Sequence, residues 1–110
     1  MDEVRQIDVA TARAEQAGGA LLLDVREQDE WDAGRAPGAI HVPMSELQER
    51  YTELPVRGST LVICRSGGRS DAVAHALARI GRPGCANVVG GMQAWKAAGL
   101  DMEPADGRVV

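Results

Sequence analysis

The sequence has no phenylalanine and only three aromatic residues, Trp31, Tyr51 and Trp95. Its interior must therefore be built mainly from aliphatic side chains and alanine. Two cysteines are too few for the disulfide framework of a small secreted protein, and they are typical of free thiols in a reducing compartment. Residues 1–8 are polar and acidic, which is unlike a secretory signal. We therefore expect a cytoplasmic protein.

Long apolar runs and an excess of basic charge are also missing. The longest apolar stretches fall far short of the about 20 residues that cross a membrane. The formal net charge is -4, from 12 basic and 16 acidic residues, whereas a nucleic-acid-binding protein normally presents a basic surface. Nearly all of the basic charge is arginine, since Lys96 is the one lysine. We expect neither a membrane nor a nucleic acid as a partner.

The composition that remains is that of one folded domain. The chain has 110 residues, of which 45% are hydrophobic and 25% charged, and this composition excludes a disordered chain. No internal repeat, linker or low-complexity segment interrupts the sequence. We expect a single domain over residues 1–110, with a core at about residues 5–100 and a loose tail at residues 101–110.

Short apolar runs alternate with helical patterns along the chain. The apolar runs predict buried strands at residues 20–25, 39–43, 60–64 and 86–89, and an edge strand at residues 4–7. The intervening patterns predict helices at residues 9–17, 45–53, 70–80 and 91–98. Because strands alternate with helices, we expect an α/β fold: a small, mainly parallel sheet flanked by helices on both faces.

Two of the helix assignments depend on specific local signals. Ser45 and Gln48 fit a capping box at the start of the 45–53 helix. The 70–80 helix has apolar residues at i, i+3, i+4 and i+7 on one face and a polar stripe on the other: Asp71, His75 and Arg79. The pair Gly90-Gly91 precedes the last helix and is expected to permit a close approach of two backbone segments.

The loop at residues 64–70, Cys-Arg-Ser-Gly-Gly-Arg-Ser, joins the end of a predicted strand to the start of a predicted helix. In open α/β sheets ligands bind beyond the carboxyl ends of the strands, so Cys64 stands where chemistry is expected. Amides at a helix N-terminus favour an anion, and two adjacent glycines allow these amides to turn inward. Together with two arginines, they should lower the pKa of Cys64 and make its thiolate a nucleophile.

The same loop would hold an anionic substrate. The candidate binding residues all follow the nucleophile directly: Arg65, Ser66, Gly67, Gly68 and Arg69. The alternative interpretation is an inert buried cysteine beside a glycine turn. The combination of two arginines and two glycines at a strand–helix junction favours the functional interpretation.

Four segments of the chain resemble, in order, those of the rhodanese family. Residues 64–70 match its active-site pattern Cys-x-x-Gly-x-Arg, and residues 22–27 resemble its strand ending Asp-Val-Arg. Residues 34–43 resemble the family segment Gly-His-Ile-x-Gly-Ala-x-Asn-x-Pro, and residues 89–95 its signature Gly-Gly-x-x-x-Trp. The resemblance covers about residues 5–100 and implies a rhodanese-like fold.

The resemblance also implies a reaction, a double displacement that needs no cofactor. The Cys64 thiolate would take the outer sulfur of a small donor such as thiosulfate and hold it as a persulfide. A thiophilic acceptor such as cyanide would then remove the sulfur. The amides of the loop would bind the persulfide, and Arg69 would orient the loop and offset negative charge.

Two features of the loop narrow the chemistry within the resemblance. Arg65 directly follows the nucleophile, as in relatives that use thiosulfate, whereas relatives that use mercaptopyruvate tend to have a small residue there. Four residues separate Cys64 from Arg69, the length associated with sulfur transfer. Related phosphatases and arsenate reductases have five, which gives a wider loop.

Two positions depart from the family pattern, because Arg35 replaces the usual histidine and His41 the usual asparagine. Neither residue is the nucleophile, so we expect both to affect only the hydrogen bonds that brace the loop. Asp24 and Arg26 alternate at the end of a strand and have the pattern of an acid–base pair. We interpret them as a structural ion pair near the site.

The remaining reactive or aromatic side chains receive structural interpretations. We expect His75 to be solvated, Cys85 to be a small buried thiol rather than a resolving cysteine, and Trp31 and Trp95 to be packing anchors. No metal site is expected, because the two cysteines and two histidines lack the spacing of metal ligands.

Three functions therefore remain open at this point. The first is a thiosulfate:acceptor sulfurtransferase that works through a Cys64 persulfide. The second is a sulfur-relay carrier that a protein persulfide donor loads and that delivers sulfur to a protein acceptor. The third is a regulatory binding module without turnover, although inactive modules of this kind usually lack the cysteine.

Overall fold

The computed structural model describes residues 3–56 and 58–110. One sheet contains five parallel strands: β1 (Arg5–Ile7), β2 (Leu21–Asp24), β3 (Ile40–His41), β4 (Thr60–Ile63) and β5 (Cys85–Val88). Their order across the sheet is β1-β5-β4-β2-β3. The helices in the described ranges are α1 (Val9–Ala17), α2 (Gln28–Ala33), α3 (Leu47–Arg50), α4 (Gly68–Arg79) and α5 (Gly91–Ala97). The predicted α/β fold with a parallel sheet is confirmed.

Both faces of the sheet are buried under helices, as predicted. Successive side chains of a strand point to opposite faces, so Leu21 and Leu23 join one apolar cluster and Leu22 joins the other. The first cluster includes side chains of α3 and α4, and the second includes Ala12 of α1 and the fully buried Trp95 of α5. The aliphatic interior expected from the composition is thus divided into two layers.

The sheet has a topological switch point between β2 and β4. From β2 the chain continues to β3 on one side, whereas from β4 it continues to β5 on the other side. The connections therefore diverge where the carboxyl ends of β2 and β4 lie side by side, and such a crevice is the usual ligand site of an open α/β sheet. Asp24 ends β2 and Cys64 follows β4 directly.

Helix α2 was not predicted from the sequence. It has six residues, none of them buried, so it carries no apolar stripe. Its start is fixed by a capping box in which the Glu27 side chain accepts from the backbone of Glu30 and the Glu30 side chain accepts from the Glu27 N–H. Glutamate at the first position of such a box is a weak signal, because serine, threonine, aspartate and asparagine are preferred there.

The predicted capping box at Ser45 and Gln48 is wrong. The segment predicted as one helix is a short 3-10 turn (Met44–Glu46), the single turn α3, and a second 3-10 turn (Tyr51–Glu53). The Ser45 hydroxyl donates instead to Glu27 Oε1 at 2.8 Å. A partner 18 residues away has therefore replaced the local cap.

Residues 101–110 are also unlike the expected loose tail. The backbones of Arg35 and Glu103 exchange two hydrogen bonds, of 3.0 and 2.8 Å, and the Arg108 N–H donates to the Ala33 carbonyl at 2.9 Å. The approach is so close that a Cβ on Gly34 would lie 2.7 Å from the Arg108 backbone. The tail is ordered because its peptide groups satisfy those at the end of α2.

None of the helices in the described ranges has the length and apolar character needed to cross a bilayer.

Candidate active site

Cys64 lies at the carboxyl end of β4 and at the foot of α4, and it is only 1% exposed. The Gly67 N–H donates to its Sγ at 3.1 Å, and the Ser70 Oγ lies 3.2 Å from the same sulfur. Gly67 is the N-cap of α4 with φ = 117°, in the left-handed region that favours glycine. This backbone turn aims the first amides of the helix at the sulfur atom.

The surroundings of Cys64 act on its ionisation in opposite directions. Burial raises the pKa of the thiol, but its hydrogen bond with the Ser70 side chain and the hydrogen bonds from the amides of Ser70, Gly67 and Ser66 lower it. The net result is a pKa below the ordinary cysteine value. A thiol of this kind is a better nucleophile near neutral pH than an ordinary buried cysteine.

Backbone hydrogen bonds from the start of α5 hold the loop in place. The Met92 N–H donates to the Cys64 carbonyl at 2.8 Å, and the Gln93 N–H donates to the Arg65 carbonyl at 3.0 Å. A Cβ on Gly91 would lie 2.7 Å from the Arg65 carbonyl carbon, so any larger residue would push the loop away. The predicted close approach at Gly90-Gly91 is confirmed for Gly91.

Arg69 is held by an acidic residue that the sequence did not single out. Its guanidinium makes two hydrogen bonds to the Glu30 carboxylate, of 2.7 and 2.8 Å. The Arg69 hydrogen bonds lower the pKa of Glu30 to about 2, although partial burial opposes this shift. The planar bidentate pair fixes the first turn of α4, which carries the loop, against α2.

A buried ion pair in turn fixes α2. Asp24 and Arg26 both have fully buried side chains, and Arg26 Nη2 lies 2.8 Å from Asp24 Oδ2. Arg26 also donates to the carbonyls of Glu30, at 3.2 Å, and Gly34, at 2.7 Å, at the two ends of the last turn of α2. The structural interpretation of this pair is confirmed, because all these contacts position the helix that carries Glu30.

The other candidate binding residues lie at the surface of the loop. Arg65, Ser66 and Gly68 are exposed, and Gly67 is half-buried. Within residues 3–56 and 58–110, the Arg65 side chain has no hydrogen-bond or ion-pair partner. The two arginines of the loop therefore differ, because Arg69 is neutralised by Glu30 whereas Arg65 faces solvent.

The two departures from the family pattern meet at Trp31. The rings of His41 and Trp31 stack with centroids 4.6 Å apart and an interplanar angle of 7°. The Arg35 guanidinium lies 5.1 Å from the Trp31 ring, and His41 Nε2 lies 2.6 Å from the Arg26 carbonyl oxygen. These contacts brace α2 and the end of β2, whereas the expectation concerned the loop at residues 64–70, which none of them touches.

Cys85 is a buried free thiol, as predicted. Burial raises its pKa, and its Sγ donates to the Arg82 carbonyl oxygen at 3.4 Å. The β4–β5 register pairs Cys85 with Thr60, at the opposite end of β4 from Cys64. Four residues of strand separate the two levels by about 13 Å, too far for a disulfide without backbone movement.

The Arg69–Glu30 pair makes a testable contribution to stability. We expect Glu30→Gln to lower the free energy of unfolding at pH 7 by about 1–2 kcal/mol, because it removes a bidentate, partly buried ion pair. The pKa of Glu30 falls from 4.5 to about 2 on folding, so this stabilisation is complete above about pH 4.5 and is lost towards pH 2. Urea unfolding across this range measures it.

A matched control for that experiment is Glu49→Gln on α3, which removes an exposed carboxylate. It should change stability by less than about 0.5 kcal/mol at any pH. A Glu30→Gln deficit that is as large at pH 2 as at pH 7 would show that the charge of Glu30 is not what stabilises the fold.

Comparison with known proteins agrees with this geometry. The model of the rhodanese-like domain matches residues 8–98. The chain is 38% identical over 74 residues to the putative sulfur carrier protein YrkF of Bacillus subtilis, which covers 67% of this chain and 40% of that protein. It is 35% identical over 92 residues to the thiosulfate sulfurtransferase GlpE of Actinobacillus succinogenes, which covers 84% of this chain and 83% of that protein.

A solved structure gives the same result for the fold. The rhodanese-related protein of Thermoplasma volcanium superposes with a TM-score of 0.79 at 34% sequence identity, covering 89% of this chain and 96% of that one. The chain spans only about two fifths of YrkF but most of GlpE. The names of these relatives support sulfur transfer as their general chemistry. On the match over residues 8–98, this chain belongs to the rhodanese-like domain family.

Proposed function

We propose that this protein is a sulfurtransferase that carries sulfur from thiosulfate to a thiophilic acceptor on Cys64. The observation that carries the proposal is the environment of Cys64, which is almost completely buried. Its sulfur accepts a hydrogen bond of 3.1 Å from the Gly67 amide at the start of α4. This arrangement favours a thiolate and offers amides to any sulfur atom bound to it. GlpE, a relative of nearly the same extent, is named a thiosulfate sulfurtransferase.

The two half-reactions balance without a cofactor. The Cys64 thiolate attacks the outer sulfur of thiosulfate, forming the Sγ–S bond, and the bond between the two thiosulfate sulfurs breaks as sulfite leaves with its electron pair. Cyanide carbon then attacks the outer sulfur of the persulfide. The Sγ–S bond breaks, thiocyanate leaves, and the Cys64 thiolate is restored.

The residues around Cys64 would have different roles in binding the persulfide and the substrate. The amides of the loop hydrogen-bond the persulfide, and the Glu30–Arg69 pair keeps the loop in place. Arg65, exposed beside the sulfur-bearing residue, would attract the sulfonate end of thiosulfate. The four-residue spacing between Cys64 and Arg69 favours a sulfur atom over a tetrahedral phosphate, which needs a wider loop.

Steady-state kinetics test this proposal against hydrolysis of a phosphate ester. We expect thiosulfate and cyanide to give the parallel double-reciprocal lines of a ping-pong reaction, because sulfite leaves before cyanide reacts. We expect no turnover of p-nitrophenyl phosphate above background. Phosphate-ester turnover without thiosulfate turnover would refute the proposal.

Arg65→Ala is expected to raise the KM for thiosulfate about tenfold with little change in kcat. The reason is that one charge-assisted hydrogen bond to the dianion is worth about 1.5 kcal/mol and acts equally on bound substrate and transition state. Initial rates over a range of thiosulfate concentrations measure the change. Arg13→Ala, which removes the same charge from α1, is the control and should leave KM unchanged.

An apolar groove supports a second function, sulfur relay between proteins. It runs between α3 and α4, and its exposed side chains include Met44, Tyr51 and Ile80. The α4 side of the groove extends from Ala72, one turn after the helix begins, to Ile80 at its far end, so a protein seated in the groove would lie along α4 and extend towards the loop that carries Cys64. YrkF, a relative, is named a putative sulfur carrier. The relay function predicts that a protein persulfide loads Cys64 much faster than thiosulfate, and that Ile80→Glu slows only that loading.

A regulatory module without turnover is the third function. A module without turnover does not need a reactive thiolate, so it does not account for the amides that lower the pKa of Cys64. If Cys64→Ala leaves every activity of the cell unchanged, this third function replaces the first.

A further inference from the structure

A line of polar side chains connects Cys64 to the protein surface. Ser70 Oγ lies 3.2 Å from Cys64 Sγ and donates to Asn87 Oδ1 at 2.6 Å. Asn87 Nδ2 then donates to Gln6 Oε1 at 2.8 Å, and Gln6 Nε2 donates to Asp71 Oδ1 at 2.8 Å. Ser70 is fully buried and Asn87 is 4% exposed, whereas Gln6 and Asp71 reach solvent.

The single proton of the Ser70 hydroxyl cannot serve both of its neighbours. When it is donated to Asn87 Oδ1, Ser70 Oγ can only accept a hydrogen bond, so the sulfur must be a thiol that donates to it. A thiolate at Cys64 needs the opposite arrangement, with the hydroxyl proton turned to sulfur. That rotation leaves the buried Asn87 Oδ1 without a donor, which is unfavourable.

The direction of the line is set at its outer end. The Asp71 carboxylate only accepts hydrogen bonds, so Gln6 must turn its amide nitrogen towards it. The Gln6 oxygen then faces Asn87, which must present its own nitrogen there and its oxygen to Ser70. Both amides would have to rotate before Asn87 could donate to Ser70, and rotation would set the Gln6 oxygen against the Asp71 carboxylate.

We propose that Asp71 is a positioning residue that acts through Gln6 and Asn87 to draw the Ser70 hydroxyl proton towards Asn87, and so reduces the stabilisation that Ser70 can give to the Cys64 thiolate. The inference deepens the proposed function and rests on Cys64 as its nucleophile. The loop amides can stabilise the thiolate without hindrance, but the Ser70 hydroxyl can do so only if it gives up its hydrogen bond to Asn87.

Several charged groups lie near the line in the described part of the chain. His75 of α4 lies 3.6 Å from Asp71 and is charged only when protonated. On β1, Gln6 is flanked by Arg5, which is paired with Glu15 of α1. Near Cys64, Arg69 is paired with Glu30 of α2, and Arg65 is exposed.

The test is titration of the Cys64 thiol by the ultraviolet absorbance of its thiolate, in a Cys85→Ser background that leaves one thiol to titrate. Asp71→Asn supplies an amide that can donate to Gln6, so the whole line can reverse and leave the Ser70 proton on sulfur. We expect the pKa of Cys64 to fall by about one unit, equal to about tenfold more thiolate below the pKa.

Gln6→Ala separates the hydrogen-bonded line from the direct effect of the Asp71 charge. Water replaces the Gln6 amide and can donate or accept, so this variant alone should lower the pKa about as much as Asp71→Asn. Combining the two should then give no further fall. The proposal is overturned if Asp71→Asn does not shift the pKa of Cys64. It is also overturned if Asp71→Asn shifts this pKa equally in the wild-type and Gln6→Ala backgrounds, because the effect would then come from the Asp71 charge alone.

Both positions are at the surface, and circular dichroism checks that the variants fold. If Asp71→Asn does not fold, the shift in Gln6→Ala alone decides the question. The titration needs no sulfur donor. Its failure would therefore leave the proposed sulfur transfer standing, and absence of sulfur transfer would leave the titration result standing.

Discussion

Cys64→Ser is expected to reduce thiosulfate:cyanide turnover by at least about 10³-fold, to the uncatalysed background, as removal of a catalytic nucleophile does elsewhere. The serine hydroxyl is nearly isosteric and would keep the Gly67 amide and Ser70 as neighbours, so the loop should keep its shape. What it lacks is an ionised form at neutral pH and the capacity to bind sulfur as a persulfide. Initial rates of thiocyanate formation give the result.

The matched control is Cys85→Ser at the start of β5, which pairs with the end of β4 that is remote from Cys64. Cys85 is buried with a raised pKa, so its replacement should leave kcat within about twofold while it removes the other thiol. If Cys64→Ser keeps more than about a tenth of the wild-type turnover rate while Cys85→Ser has no turnover, the nucleophile has been assigned to the wrong cysteine.

Asp24→Ala is expected to lower the free energy of unfolding by about 3–5 kcal/mol, the largest stability effect anticipated for a single residue here. The substitution would leave Arg26, which has a fully buried side chain, without its carboxylate partner. A domain of this size is stable by only about 5–15 kcal/mol, so the variant would be close to unfolding at room temperature. Urea denaturation monitored by circular dichroism measures the loss.

The double variant Asp24→Ala/Arg26→Met shows whether the unpaired charge is responsible. It removes both charges and should recover part of the loss, because a buried ion pair contributes little compared with apolar residues of similar size. Recovery should be incomplete, since Arg26 also donates to the carbonyls of Glu30 and Gly34. A double variant less stable than Asp24→Ala would contradict the explanation from charge burial.

The features that the sequence predicted well are those set by neighbours in the chain. Apolar runs predicted β2, β3, β4 and β5, because parallel strands inside a sheet are buried on both faces. The strand β1, in which Arg5 and Gln6 are exposed, was predicted only as an edge strand. The Cys64 loop was largely predictable, since its amide cradle follows from a glycine between a strand and a helix, although only Gly67 and not Gly68 has the positive φ that was expected of both. The two-layer packing followed in turn from the alternation of strands and helices.

The features that sequence reasoning missed depend on distant partners. Glu30 meets Arg69 across 39 residues, and α2, which carries Glu30, has no apolar stripe to reveal it. The Ser45 side chain had two possible partners, and the choice of Glu27 over a helix cap is decided by tertiary packing. One weak local signal was present, because Glu27 and Glu30 have the three-residue spacing of a capping box.

The ordered tail and the Asn87–Gln6 line have the same origin. Glu103 pairs with Arg35 through backbone groups, which carry no side-chain signature in a sequence. Asn87 and Gln6 lie in β5 and β1, which are 81 residues apart yet adjacent in the sheet, so only the strand order brings their amides together. Such pairings require the fold to be known first.

The most direct test of sulfur transfer through Cys64 is intact-mass spectrometry of the protein after thiosulfate and then after cyanide, with Cys64→Ser treated alongside. We expect the wild-type mass to rise by one sulfur atom with thiosulfate and to return to its starting value with cyanide. The Cys64→Ser mass should not change. No gain of sulfur in a wild-type protein whose Cys64 still reacts with an alkylating agent would contradict thiosulfate as the donor and direct attention to a protein donor.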